Sequence, residues 1–178
     1  LENFGLPIGW GWGWLDTPDL YHKRTPFSDP TEQQGPWIRY LYLSQLEFAL
    51  MILRYRQYSG LDITPYLPFI ESAIRFFDVH YQWQHRINAL KPLDENGHLV
   101  LFPSTACETY KDALNPVDLV SGLQCTVEAL LDIGGDLLGE EANAYYRGLL
   151  DRIPPLSFTA RDGKRIIAPA KSWAGEIN

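Results

Sequence analysis

Asp94-Glu-Asn-Gly-His-Leu-Val-Leu-Phe-Pro-Ser-Thr-Ala-Cys-Glu-Thr-Tyr-Lys-Asp-Ala-Leu-Asn-Pro-Val-Asp-Leu-Val-Ser-Gly-Leu-Gln-Cys-Thr-Val-Glu-Ala-Leu-Leu131 changes character halfway along its length. Asn96-Gly97 is a turn signal, and Leu99-Val100-Leu101-Phe102 is an apolar run that Pro103 stops, so the first half is not helix. The second half reads as helix. Asn115 suits an N-cap, Pro116 the first helical position, and Asp118 the positive end of the helix dipole. Val117, Val120, Leu123, Val127, Leu130 and Leu131 recur at helical spacing until Gly134-Gly135. Between the two halves lies Pro103 to Tyr110, a polar loop with a single carboxylate, Glu108. A loop this long between packed helices, carrying its own short strand at 99–102, is usually functional or disordered, and its apolar content argues against disorder.

Outward from this stretch, proline and glycine punctuate the chain. Pro36 opens a helix that Gly60 closes, carrying Ile38, Leu41, Tyr42, Leu46, Ala49, Leu50, Leu53 and Tyr55, with so little polar surface that burial is expected. Pro65 opens a second helix to about Gln84, with Tyr66, Ile70, Ala73, Ile74, Phe77, His80 and Tyr81 on one stripe. His80 there reads first as a core or rim histidine and second as a ligand or catalyst. A fourth helix follows from Glu140 to Arg152 and ends at Pro154-Pro155. Residues 156–170 alternate as a hairpin turning at Asp162-Gly163. The chain thus predicts two antiparallel helix pairs, 36–84 and 116–153, an 88–115 loop of functional character, and a closing hairpin and loop over 156–178.

Residues 1–35 are irregular, with glycine alternating between Trp10, Trp12 and Trp14. These indoles either cap the core or form a stacking wall, since flat rings suit the C–H faces of sugars. In the second case the segment and the 88–115 loop belong at the same end of the helical layer.

Composition narrows the partners. Apolar residues are 46% and charged residues 21% of 178, enough for a core in one domain or a piece of one. A net charge of −7 argues against nucleic acid and anionic membrane as partners. Cys107 and Cys125 are too few for a disulfide framework or a zinc site, and no cofactor or metal motif is present. What remains is carboxylates among aromatics, the chemistry of glycoside cleavage, in which one acid protonates the leaving oxygen. Glu108 is the best-placed acid, flanked by the hydroxyls of Ser104, Thr105, Thr109 and Tyr110; its bland reading is a solvated loop carboxylate. Asp112 and Asp118 would raise its pKa, whereas the positive end of the following helix would lower it.

Several short motifs share one order. They are Gly60-Leu-Asp62 with Tyr66-Leu-Pro-Phe69, Phe76-Phe-Asp-Val-His-Tyr81, Gly97-His-Leu99, Pro103-Ser104 with Glu108, and Asp162-Gly163 to Ala168-Pro-Ala170. The order resembles the six-hairpin (α/α)6 glycosidases, in particular the fucosidase-type group of glycoside hydrolase family 95. The resemblance implies an all-α fold of antiparallel helical hairpins forming part of an (α/α)6 toroid, with short β-hairpins in the connecting loops. It implies a carbohydrate substrate, an inverting mechanism with Glu108 as general acid, and Trp10, Trp12, Trp14, Ser104, Thr105 and Tyr110 as substrate-binding groups. It names no base; Asp16 and Glu176 serve only if folding brings them near. Ala106-Cys107 stands where that family usually has Ser-Pro. A full toroid needs about twelve helices, so the chain reads as a single partial domain, with self-association through exposed helix faces and a secreted or periplasmic location as expectations. The competing reading is a non-catalytic helical scaffold that binds carbohydrate or protein.

Overall fold

A computed structural model describes residues 40–107 and 109–174. Trp10, Trp12, Trp14, Asp16, Glu108 and Glu176 lie outside the described residues, as does the shared end of the layer expected for the tryptophan segment. Among the described residues the chain is helix-rich, with four α-helices and two small antiparallel sheets.

The first helix, α1, spans Ser44–Ser59 and ends at Gly60, whose φ of 70° lets its N–H bond the Arg56 carbonyl at 2.8 Å. The expected start at Pro36 is not reached within the described residues, because Tyr40 takes a φ of 63° and residues 41–43 are not helical. A single turn of 3₁₀ helix over Thr64–Tyr66 precedes α2, Leu67–Ala89. This helix runs one turn beyond the expected end at Gln84, and Leu90 closes it in the left-handed conformation, φ 60°. Sequence punctuation could not show this, since the cap is neither glycine nor asparagine.

Helix α3, Val117–Ile133, starts behind Pro116, which is extended, and runs to Gly134 as expected. Asn115 is not its N-cap. Asn115 has a φ of 50°, and its Oδ1 accepts the Leu101 N–H at 2.9 Å while its own N–H donates to the Leu101 carbonyl. A buried amide N–H on a neighbouring segment outcompetes the solvated helix end for that oxygen. The last helix, α4, is Glu140–Arg152, with two glutamates in its first turn and an arginine in its last, as the dipole favours.

Helices α1 and α3 lie close. A Cβ on Gly122 would sit 2.8 Å from Leu43 Cδ1, and the Thr126 hydroxyl, bonded to the Gly122 carbonyl, also reaches the Leu46 carbonyl of α1. Ile70, Ile74, Phe77 and Tyr81 of α2 meet Leu46, Leu53, Leu123, Leu130, Tyr146 and Leu149 in one core. Burying each such side chain is worth about 1.5–3 kcal/mol, so the core as a whole supplies more than the scattered polar contacts do.

The 88–115 segment differs from expectation. Asp94 Oδ1 accepts the N–H groups of Asn96 and His98 around Gly97, whose φ is 82°, so the turn is where the sequence placed it. Leu99–Phe102 forms neither helix nor strand: Leu99 and Leu101 are buried, Phe102 is exposed, and the Phe102 N–H turns back onto the Val100 carbonyl at 2.9 Å. The ladder instead joins β1, Ser104–Ala106, to β2, Tyr110–Ala113, so the expected polar loop is itself a hairpin. The two buried residues of the apolar run are held by bonds to other segments: Leu99 N–H to the Arg152 carbonyl at 2.7 Å, and Leu101 by the reciprocal pair with Asn115. The closing hairpin pairs β3, Phe158–Arg161, with β4, Lys164–Ile167, through Asp162-Gly163 at positive φ, as the sequence predicts.

One buried charge ties α2 to α4. Asp78 Oδ2 accepts from the Tyr145 hydroxyl at 2.6 Å and from Arg152 Nη2 at 2.8 Å, and Oδ1 accepts from Gln82 Nε2 at 2.8 Å. Burial pulls the Asp78 pKa up, but the hydrogen bonds from Arg152, Tyr145 and Gln82 outweigh it, so the carboxyl sits below its usual range. Its contribution to stability is therefore complete above the unfolded value of about 3.9 and is lost as pH falls through the lower folded value. Asp78→Ala is expected to cost about 3 kcal/mol, because Arg152 keeps a half-buried charge with no counterion. Urea unfolding with an unchanged m-value checks this, and adding Arg152→Met should recover part of the loss.

Candidate functional site

The β1–β2 hairpin stands over the start of α3 and is held from three directions. Below it, Tyr81 of α2 is fully buried, with its hydroxyl against Ser104 and 3.5 Å from the Pro103 carbonyl. Burial raises the Tyr81 pKa far above the ordinary phenol, so this hydroxyl stays neutral and structural. Beside it, the 168–174 segment adds backbone bonds: Lys171 N–H to the Leu114 carbonyl, Leu114 N–H to the Ser172 carbonyl, and Ala174 N–H to the Lys111 carbonyl, all 2.8–3.0 Å. Tyr110 meets Trp173 edge-on, with ring centroids 5.2 Å apart.

The third hold is at the tip. Ala106 pairs with Tyr110, and the Thr109 N–H closes the turn onto the Ala106 carbonyl at 3.0 Å. Asp118, in the first turn of α3, accepts the Cys107 N–H on Oδ2 at 2.8 Å and the Leu119 N–H on Oδ1 at 2.9 Å. One carboxylate thus complements the positive end of its own helix and anchors the hairpin tip. Burial and then the charge of Asp118 push the Cys107 thiol above its usual pKa, which makes it a poor nucleophile in this setting.

The sequence-predicted residues separate here. Tyr110 is half-buried at the hairpin edge, whereas Ser104 and Thr105 are 1% and 3% exposed. Both side chains are closed to solvent, with the Ser104 hydroxyl against that of Tyr81. Asp112 is exposed on β2, with a φ of 46°. His80 is half-buried on the rim of the core, stacked on Phe76 at 4.9 Å and edge-on to Tyr42 and Tyr81. Burial lowers its pKa, and its Nε2 is enclosed without a hydrogen-bond partner.

A second surface escaped the sequence reading. One face of α2 lines a cleft of about 650 Å³ with Glu71, Ser72, Arg75, Val79, His80 and Trp83 among its walls. Arg75 lies 4.3 Å over the Tyr145 ring, and the Tyr146 hydroxyl donates to Glu71 Oε1 at 3.2 Å. Glu71, Arg75, Val79 and Trp83 recur every fourth residue, a signal visible in the sequence but overshadowed by the core stripe on the other face. Among the described residues no group of three or more His, Cys, Asp and Glu is arranged to hold a metal ion, and no helix is long and apolar enough to cross a membrane.

Comparisons of the chain with family models, with curated proteins and with solved structures find no match.

Two outcomes test the site. Asp118→Ala should cost about 1 kcal/mol through the lost charge-assisted bond and dipole contact, and amide exchange should quicken at Cys107 and Thr109 while the centre of α3 stays protected. His80, with its folded pKa below the unfolded 6.5, binds fewer protons folded than unfolded, so stability falls as pH drops below about 6.5. His80→Phe should flatten that part of the stability–pH curve, read from thermal midpoints between about pH 5 and 8.

Proposed function

We propose that the chain is part of a glycoside hydrolase built from helical hairpins, in which Glu108 protonates the leaving oxygen of a glycosidic bond by an inverting mechanism. The observation that supports this is the fixed hairpin between the two helix pairs. Cys107 and Thr109, the neighbours of position 108, are held by Asp118 and by the β1–β2 ladder on the start of α3. General acid catalysis depends on a proton donor kept within hydrogen-bond reach of the reacting oxygen, and ordered neighbours on both sides of position 108 are what such a role calls for. The order of α1 to α4, with α1 beside α3 and the hairpin between pairs, is compatible with a segment of an (α/α)6 toroid. The substrate class is carbohydrate, with Trp10, Trp12 and Trp14 as stacking rings and Tyr110 at the hairpin edge. A secreted or periplasmic setting follows from polymeric glycans as substrates.

A second reading, a scaffold that binds carbohydrate or protein without cleaving it, is favoured by the α2 cleft with its exposed Trp83. Paired kinetics with Glu108→Gln separate the two. General acid catalysis contributes about 10²–10⁴-fold, so kcat should fall by that factor on a glycoside with a poor leaving group. An activated aryl glycoside, whose leaving group hardly needs a proton, should lose much less. Equal losses on both substrates would remove Glu108 from the acid role. Binding without hydrolysis in the unaltered protein would favour the scaffold.

A further inference from the structure

Helix α1 is apolar on two opposite sides. Leu46, Ala49 and Leu53 face the core, yet Phe48, Met51, Tyr55 and Tyr58 are 58%, 64%, 54% and 84% exposed. At 3.6 residues per turn these four fall within an arc of about 80°, with Glu47 and Arg54 together along one edge of it. A helix with apolar residues all round is ordinarily covered on both sides, and a contiguous apolar stripe rimmed by charge marks an interaction surface.

We propose that this stripe is the interface of a symmetric dimer, in which α1 packs antiparallel against α1 of a second copy. The pattern is self-complementary in that direction alone. A two-fold axis that pairs antiparallel helices keeps the same edge of both on the same side of the interface. Glu47 and Arg54 share an edge, so Glu47 meets the Arg54 of the other copy, and the reciprocal pair forms at the same time. Both lie about 5 Å along the helix from a centre beside Met51, at 1.5 Å per residue, so the two pairs are in register. Met51 then meets its own counterpart near the axis, and Phe48 lies alongside the opposing Tyr55. In a parallel arrangement the charged edges fall on opposite sides and cannot pair. Arg54 already donates through Nη1 to Gln57 at 2.6 Å, and a guanidinium has further N–H groups for the partner carboxylate. Ion pairs of this kind select orientation more than they add affinity.

Sedimentation of the full chain tests the proposal. A single helix pair is a small interface, so dimerisation in the range of about 1–100 µM is expected. Met51→Glu places two carboxylates beside the axis and should weaken association by more than about a hundredfold, with helix content and unfolding midpoint unchanged because Met51 is a surface residue. Glu47→Arg should weaken it about tenfold, and Glu47→Arg with Arg54→Glu should restore it to within about threefold. A monomer at about 100 µM would overturn the proposal, including the case in which further helices of a longer polypeptide cover the stripe. So would a dimer indifferent to Met51→Glu, or a double exchange that restores nothing. None of these readings involves Glu108 or catalysis, so the dimer and the glycosidase stand or fall separately.

Discussion

The carboxylate of Asp78 is the constraint on which the layout turns. It is buried between α2 and α4, where a lone charge would be costly, and it is tolerated because Tyr145, Gln82 and Arg152 all donate to it. Arg152 carries the constraint onward. Its guanidinium holds Asp78 and the Gly148 carbonyl, while its own backbone carbonyl accepts the N–H of Leu99. One residue at the end of α4 therefore fixes the angle of α4 on α2 and the point where the loop segment enters the core.

From Leu99 the order passes along the chain by backbone and side-chain bonds. Leu101 and Asn115 exchange a reciprocal pair, which closes the segment that contains β1 and β2. Asp118 and Tyr81 then hold that hairpin from α3 and α2. The apolar core supplies most of the free energy, but apolar contacts are non-directional, and these polar contacts decide which of many packed arrangements is adopted.

The two faces of the molecule illustrate different kinds of legibility. The helical stretches, the Asn96-Gly97 turn, the Asp162-Gly163 hairpin and the end of α3 at Gly134 were readable because each depends on local chemistry: a glycine at positive φ in the two turns, a glycine stop, a repeat of 3.6 residues. The burial of Ser104 and Thr105 was not readable. Small hydroxyls look alike in sequence whether they face solvent or the interior, and here both are buried, Ser104 against the Tyr81 hydroxyl.

The sequence by itself determined the helix-rich class and the presence of a structured segment between the second and third helices. Tertiary structure alone decided three things. Asn115 spends its side chain on Leu101, because a buried amide gains more from that oxygen than a solvated helix end does. The strand ladder lies at 104–113 rather than 99–102, because Leu99 and Leu101 gain more from burial among helices than from a neighbouring strand. And the outer side of α1 is left uncovered by the other described helices of its own chain, since periodicity reports only that a residue is apolar, whereas what covers it depends on elements distant in the chain.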